Sequence, residues 1–99
     1  MWAVIGVYDG QENNTFYRRS GNGLEQAGDR QLRTGNVLVL GVDAIHAIEN
    51  PLDRVLHAIH VYGGDLPKAQ RSMWNPFTQT EEPFEYQKML QHLRQLKEQ

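Results

Sequence analysis

Ninety-nine residues hold one domain, and a chain of this length buries roughly two-thirds of the surface its unfolded form exposes, so a core forms only if its sheets close. A formal charge of -2 and a pI near 6.0 give no basic field, which argues against nucleic acid and against an anionic membrane surface as partners. With no cysteine, disulfides, thiolate metal sites and cysteine nucleophiles are excluded together, leaving histidine, carboxylate and tyrosine as the site chemistry.

The apolar start, Met1 to Tyr8, lacks the basic segment and cleavage site of a signal peptide, and no apolar run reaches the roughly eighteen residues of a membrane span. A soluble, cytoplasmic protein is expected. Trp2 to Tyr8 is a β-rich run that ends at the turn pair Asp9-Gly10, and Thr15 to Arg19 reads as the returning strand of a hairpin. The glycine-rich, polar stretch from Ser20 to Asp29 reads as a loop with at most a short strand around Leu24. Gly35-Asn36 is a turn before the apolar strand Val37 to Leu40.

In Ala44 to Asn50 the two-residue period of a strand puts Ala44, His46, Ile48 and Asn50 on one face, which aims a histidine inward. Pro51 and Asn50 then make a turn, Pro51 by presetting φ and Asn50 by bonding local backbone. In the strand predicted from Val55 to Tyr62, the residues Leu56, Ala58, His60 and Tyr62 share a face and His57 points away from it. Gly63-Gly64 breaks this strand, and residues 65–77 have no clear period. Thr80 to Pro83 predicts a helix start, and Tyr86, Met89, Leu90, Leu93 and Leu96 recur at helical spacing. That stripe should pack on the outside of a barrel or on a partner. Strands at this spacing predict an all-β sandwich or barrel in one domain over 1–99, with the barrel in about 1–66 and a loop and C-terminal α-helix in 67–99.

Gly35, followed eleven residues later by His46 and four further on by Asn50, resembles the second conserved motif of the cupins, with Gly41 where the motif prefers proline and Asp43 where it prefers glycine. Ala58, His60 and Tyr62 resemble the Ser-x-His-x-Tyr strand of thiol dioxygenases, with alanine in place of serine. The runs HVYGGDL and RSMWNPFTQTEEPFEY resemble bacterial cysteine dioxygenase-like proteins of the double-stranded β-helix superfamily. If Gly10 ends the first cupin motif, Ala3 stands at its glutamate position, and the His-x-His pair of that motif would lie just ahead of Met1. The resemblance implies a jelly-roll barrel, incomplete in these residues, that oxidises a small thiol with dioxygen at a non-haem Fe(II) centre.

On that resemblance His46 is a metal ligand, Tyr62 steers oxygen and substrate, and His60 supports Tyr62. Fe(II) is the expected metal, another divalent ion would also suit the ligand type, and binding would be lost without the upstream histidines. A mononuclear centre needs a few neutral nitrogen ligands on one face and open positions opposite. The competing readings are a buried histidine satisfied by its neighbours, an ordinary Tyr-His core bond, a non-catalytic cupin module, and a metal cupin acting on a non-thiol substrate. Arg18, Arg19 and Arg71 are the arginines considered for a substrate carboxylate, without one being preferred. Trp2, Tyr8, Phe16 and Trp74 are expected to pack a core or line the pocket mouth, Asp9 and Glu12 to be turn and surface residues, and His92 to be solvated on the helix. An open sheet edge predicts a homodimer.

Overall fold

The alternation Ala3, Ile5, Val7 turns one face of the first strand into a core, and the rest of the chain wraps around it. The computed structural model describes residues 1–21 and 23–97. The strands β1 (Trp2–Asp9), β2 (Gln11–Ser20), β3 (Gly23–Arg33), β4 (Val37–Leu40), β5 (Ile45–Glu49) and β6 (His57–Gly63) form two three-stranded antiparallel sheets. One sheet has the order β4-β1-β6 and the other β3-β2-β5. Ala3, Ile5, Val7, Leu38 and Leu40 of the first sheet pack with Leu32 of the second, and Phe16, Leu56 and Ala58 flank them.

The predicted hairpin between the first two strands does not form. β1 pairs only with β4 and β6, and β2 only with β3 and β5, so the chain crosses from one sheet to the other at Gly10. Gly10 is buried with φ +106°, and a Cβ there would meet the Leu56 backbone at 3.4 Å. Only glycine suits both the conformation and the approach. The Thr34 hydroxyl lies 3.3 Å from the Gly10 amide and accepts its hydrogen bond, tying this corner to the Arg33–Asn36 turn.

The stretch expected to be a loop, residues 20–29, is mostly strand: β3 pairs with β2 along its whole length, apart from a register shift opposite Phe16 and Tyr17 where Gly28 takes φ +149°. Asn22 lies outside the described residues. Only Leu32 of β3 is buried, so no hydrophobic alternation marks this ribbon, and its partner strand supplies the order instead. The sixth strand starts at His57 rather than Val55.

The helix is also shorter than expected. Glu81–Pro83 is β8, paired with β7 (Ser72–Trp74), and α1 runs from Tyr86 to Lys97. Glu81 accepts bonds from Ser72 Oγ at 2.7 Å and from Arg19, and Lys88 lies 2.6 Å from Glu82, so the acidic run is held in a hairpin instead of a first helical turn. No described residue of α1 is buried; Leu93 and Leu96 are exposed, and the leucine stripe borders a shallow groove beside Glu49. Glu98 and Gln99, at the end of the predicted helical segment, lie outside the described residues. No described helix is long and apolar enough to cross a membrane.

Candidate functional site

Cross-strand register sends the three residues singled out by sequence into the space between the sheets. His46 on β5 pairs with Phe16, His60 on β6 with the fully buried Ile5, and Tyr62 with the buried Ala3. Directly opposed residues share a face, so each inherits the inward direction of its partner. Tyr62 stays 40% exposed, whereas His46 and His60 are half-buried. His57 faces outward, 3.4 Å from Asp9 and 5.6 Å between ring centroids from Tyr8. Arg54 at 2.9 Å holds the Asp9 carboxyl below the usual carboxylate range, His57 adding to the effect.

Glu12, expected on the surface, and Asn14, which the sequence reading did not single out, link the histidines. Glu12 is 1% and Asn14 0% exposed, the opposite of the expected role of Glu12 as a turn and surface residue. The Glu12–Asn14–Phe16 alternation on β2 carried that information, since Phe16 marks the inner face two and four positions later. His60 Nε2 lies 3.2 Å from Glu12 Oε2, Asn14 Nδ2 donates to Glu12 Oε1 at 3.0 Å, and His46 Nδ1 lies 2.8 Å from Asn14 Oδ1. Among the described residues every buried side-chain nitrogen and oxygen has a partner.

This chain of contacts fixes a tautomer. An ionised carboxylate can only accept, so Asn14 must turn its NH2 to Glu12 and its oxygen to His46. His46 Nδ1 therefore carries the proton, and Nε2 is left with a bare lone pair. The same logic puts a proton on His60 Nε2. His60 spends that nitrogen on Glu12 and not on Tyr62: their ring centroids are 6.5 Å apart, and no hydrogen bond joins them among the described residues. The expected support of Tyr62 by His60 is thus absent. Phe16 stacks on the His46 ring at 6.4 Å and 21°.

Burial pushes the His46 pKa below the ordinary histidine value of 6.5; the Glu12 charge opposes this and His60 adds to it. The unfolded chain then binds more protons than the folded one in mildly acid solution, so this contribution to stability is present above about pH 6.5 and is lost as pH falls through the folded value. The urea midpoint of the native protein should fall more between pH 7.5 and pH 5 than that of His46→Gln. Parallel profiles for the two proteins would remove His46 from the acid sensitivity.

The residues do not by themselves fit a three-histidine iron centre. Among the described residues no group of three or more histidine, cysteine, aspartate or glutamate side chains could hold a metal ion. His60 gives its Nε2 proton to Glu12, His57 faces away, and His92 lies partly covered on α1; among the described residues of the facing strands, the ring nitrogens left without a partner are His46 Nε2 and His60 Nδ1, too few for such a centre. The arginines considered for a carboxylate are engaged elsewhere: Arg18 on Glu25 at 2.9 Å, Arg19 on Glu81 and over Trp74 at 5.4 Å, and Arg71 over Phe84 at 4.1 Å. Of the aromatic residues, Phe16 joins the core, while Trp2 and Tyr8 are exposed on the outer face, contrary to expectation.

The described residues thus form a small β protein of two three-stranded sheets and a two-stranded hairpin, with a C-terminal helix and a carboxylate-anchored histidine pair between the larger sheets. No family model, curated protein or solved structure matches it.

Proposed function

We propose that the chain carries one side of a cysteine dioxygenase-like cupin site. Strand order supports the fold part of this reading. β1 pairs with β4 and β2 with β3, while β6 and β5 lie on the other flanks of β1 and β2. The order matches that of six consecutive strands in an eight-stranded jelly roll, in which β5 and β6 would each have a further neighbour. His46 and His60 stand on those two strands, at the open side of the sandwich.

The observation that carries the chemical part is the contact of His46 Nδ1 with Asn14 Oδ1, with Glu12 behind it, which leaves Nε2 as the accepting nitrogen. A neutral imidazole whose other nitrogen is hydrogen-bonded is how proteins orient a metal-binding histidine. Tyr62 presents a phenol on the same face of β6 as His60, able to donate to a small thiol's polar end. Iron, or another divalent ion, would supply oxygen activation when bound. His46 would be one ligand of such an ion, since no group of three or more suitable side chains gathers among the described residues. A second reading, a cupin module that binds without catalysing, is favoured by the commitment of His60 to Glu12.

Fusing a strand bearing His-x-His ahead of Met1 separates the two. The native chain should retain little iron after purification and the extended one about one iron per chain, with dioxygen uptake on addition of cysteine, 3-mercaptopropionate or cysteamine. Negligible iron in both proteins would end the oxygenase reading and leave the binding module.

A further inference from the structure

We propose that the outer face of the β4-β1-β6 sheet is the contact surface for a second copy of this chain. The inner face of that sheet is core, so by alternation its outer positions are Val37 and Val39 on β4, Trp2, Val4, Gly6 and Tyr8 on β1, and His57, Ile59, Val61 and Gly63 on β6. Charged side chains are confined to one end of this face, where Asp9 meets His57 and Arg54. Register aligns them into two cross-strand rows, Val39-Val4-Val61 and Val37-Gly6-Ile59. Val39 is 71% and Ile59 60% exposed, and Val37, Val61, Trp2 and Tyr8 are exposed as well. An antiparallel sheet that faces water normally alternates apolar inside with polar outside. This one is apolar on both faces.

The size and the chemistry of the face argue for a copy of itself. With side chains of these sizes, the exposed fractions leave about 600 Å² of apolar surface, so pairing two copies removes about 1,200 Å², the lower end of a standard specific interface. The absence of charge in either row leaves nothing for an acidic or basic partner to recognise, whereas a flat branched-chain face is complementary to itself. Two such faces stack about 10 Å apart with their strands within about 30°. A Cβ built on Gly6 meets nothing within 4 Å, so the centre of the second row is a shallow dimple flanked by Val37 and Ile59. A two-fold axis near Val4 lets a branched side chain of each copy fill the dimple of the other. The Trp2 indole lies across Gly63, where a Cβ would collide with it, and closes one end of the patch; Tyr8 and His57 close the other.

Sedimentation equilibrium from 1 μM to 500 μM tests the assignment, with Val39→Lys/Ile59→Lys as the variant and Ala47→Lys, on an exposed position of β5, as control. The native chain and the control should form a discrete dimer, the double variant should stay monomeric throughout with an unchanged far-UV circular dichroism spectrum, and dimerisation should be insensitive to 0.5 M NaCl. A native monomer across the range, open-ended aggregation without a dimer, or a dimer that survives in the double variant and therefore uses another surface such as the β5 or β6 edge would each overturn it.

Discussion

Glu12→Ala should lose about 3 kcal/mol of stability in urea unfolding and, although Glu12 does not touch His46, should leave His46 as a mixture of tautomers. Its carboxylate, 1% exposed, takes bonds from both His60 and Asn14. Removing it strands one fully buried donor, on Asn14, and one half-buried donor, on His60, and leaves a cavity. The loss falls at the lower end of the usual range for breaking a buried pair because His60 keeps about a quarter of its side chain in water (26%). Without an obligatory acceptor beside it, the Asn14 amide is free to turn, so that either its oxygen or its nitrogen meets His46 Nδ1. Glu12→Gln keeps an oxygen for Asn14, and should cost less than half as much and preserve the tautomer. Ring 15N shifts of His46 read the difference. A single unchanged tautomer in Glu12→Ala would show that Asn14 is oriented by something other than the carboxylate, and the account of a prepared Nε2 would fail with it.

Ile5→Ala should cost about 3–4 kcal/mol, within the usual range for truncating a fully buried isoleucine. Ile5 is wholly enclosed at the middle of β1, the strand common to both pairings of its sheet, with Leu38 on one side and His60 on the other. A domain of this size has about 5–15 kcal/mol in total, so the variant should be folded but close to its limit at 37 °C. The cavity also borders the His60 side, and the Glu12–His60 contact should loosen, visible as broadening of the His60 ring resonances. A loss below about 1 kcal/mol would mean that the two sheets collapse into the gap, and that β1 does not set their spacing.

The strands at Trp2–Asp9, Val37–Leu40, Ile45–Glu49 and His57–Gly63 were legible in the sequence because apolar alternation or an apolar run marks each. The same two-residue period correctly sent His46, His60 and Tyr62 inward and His57 outward. Asn50 was legible as a turn former, and it accepts from the Leu52 amide at 3.1 Å and donates to the Arg54 carbonyl at 2.8 Å.

What the local pattern could not decide was pairing. Asp9-Gly10 has the composition of a hairpin turn, yet it serves a crossing between sheets, because the partner of β1 is selected by burial of Ile5 against strands that follow later in the chain. Residues 23–33 are strand because β2 lies beside them and not by their own propensity, and Glu81–Pro83 is strand because Ser72–Trp74 and Arg19 hold it. Glu12 is the plainest case. A glutamate two residues past a turn belongs in water on sequence grounds, since burying an unpaired carboxylate is prohibitive. Only the folded chain brings His60 and Asn14 within 3.2 Å of it and makes that burial tolerable. Periodicity, a property of neighbours along the chain, determined which way the side chains point, while the polar contacts between β2, β5 and β6 exist only after distant segments meet.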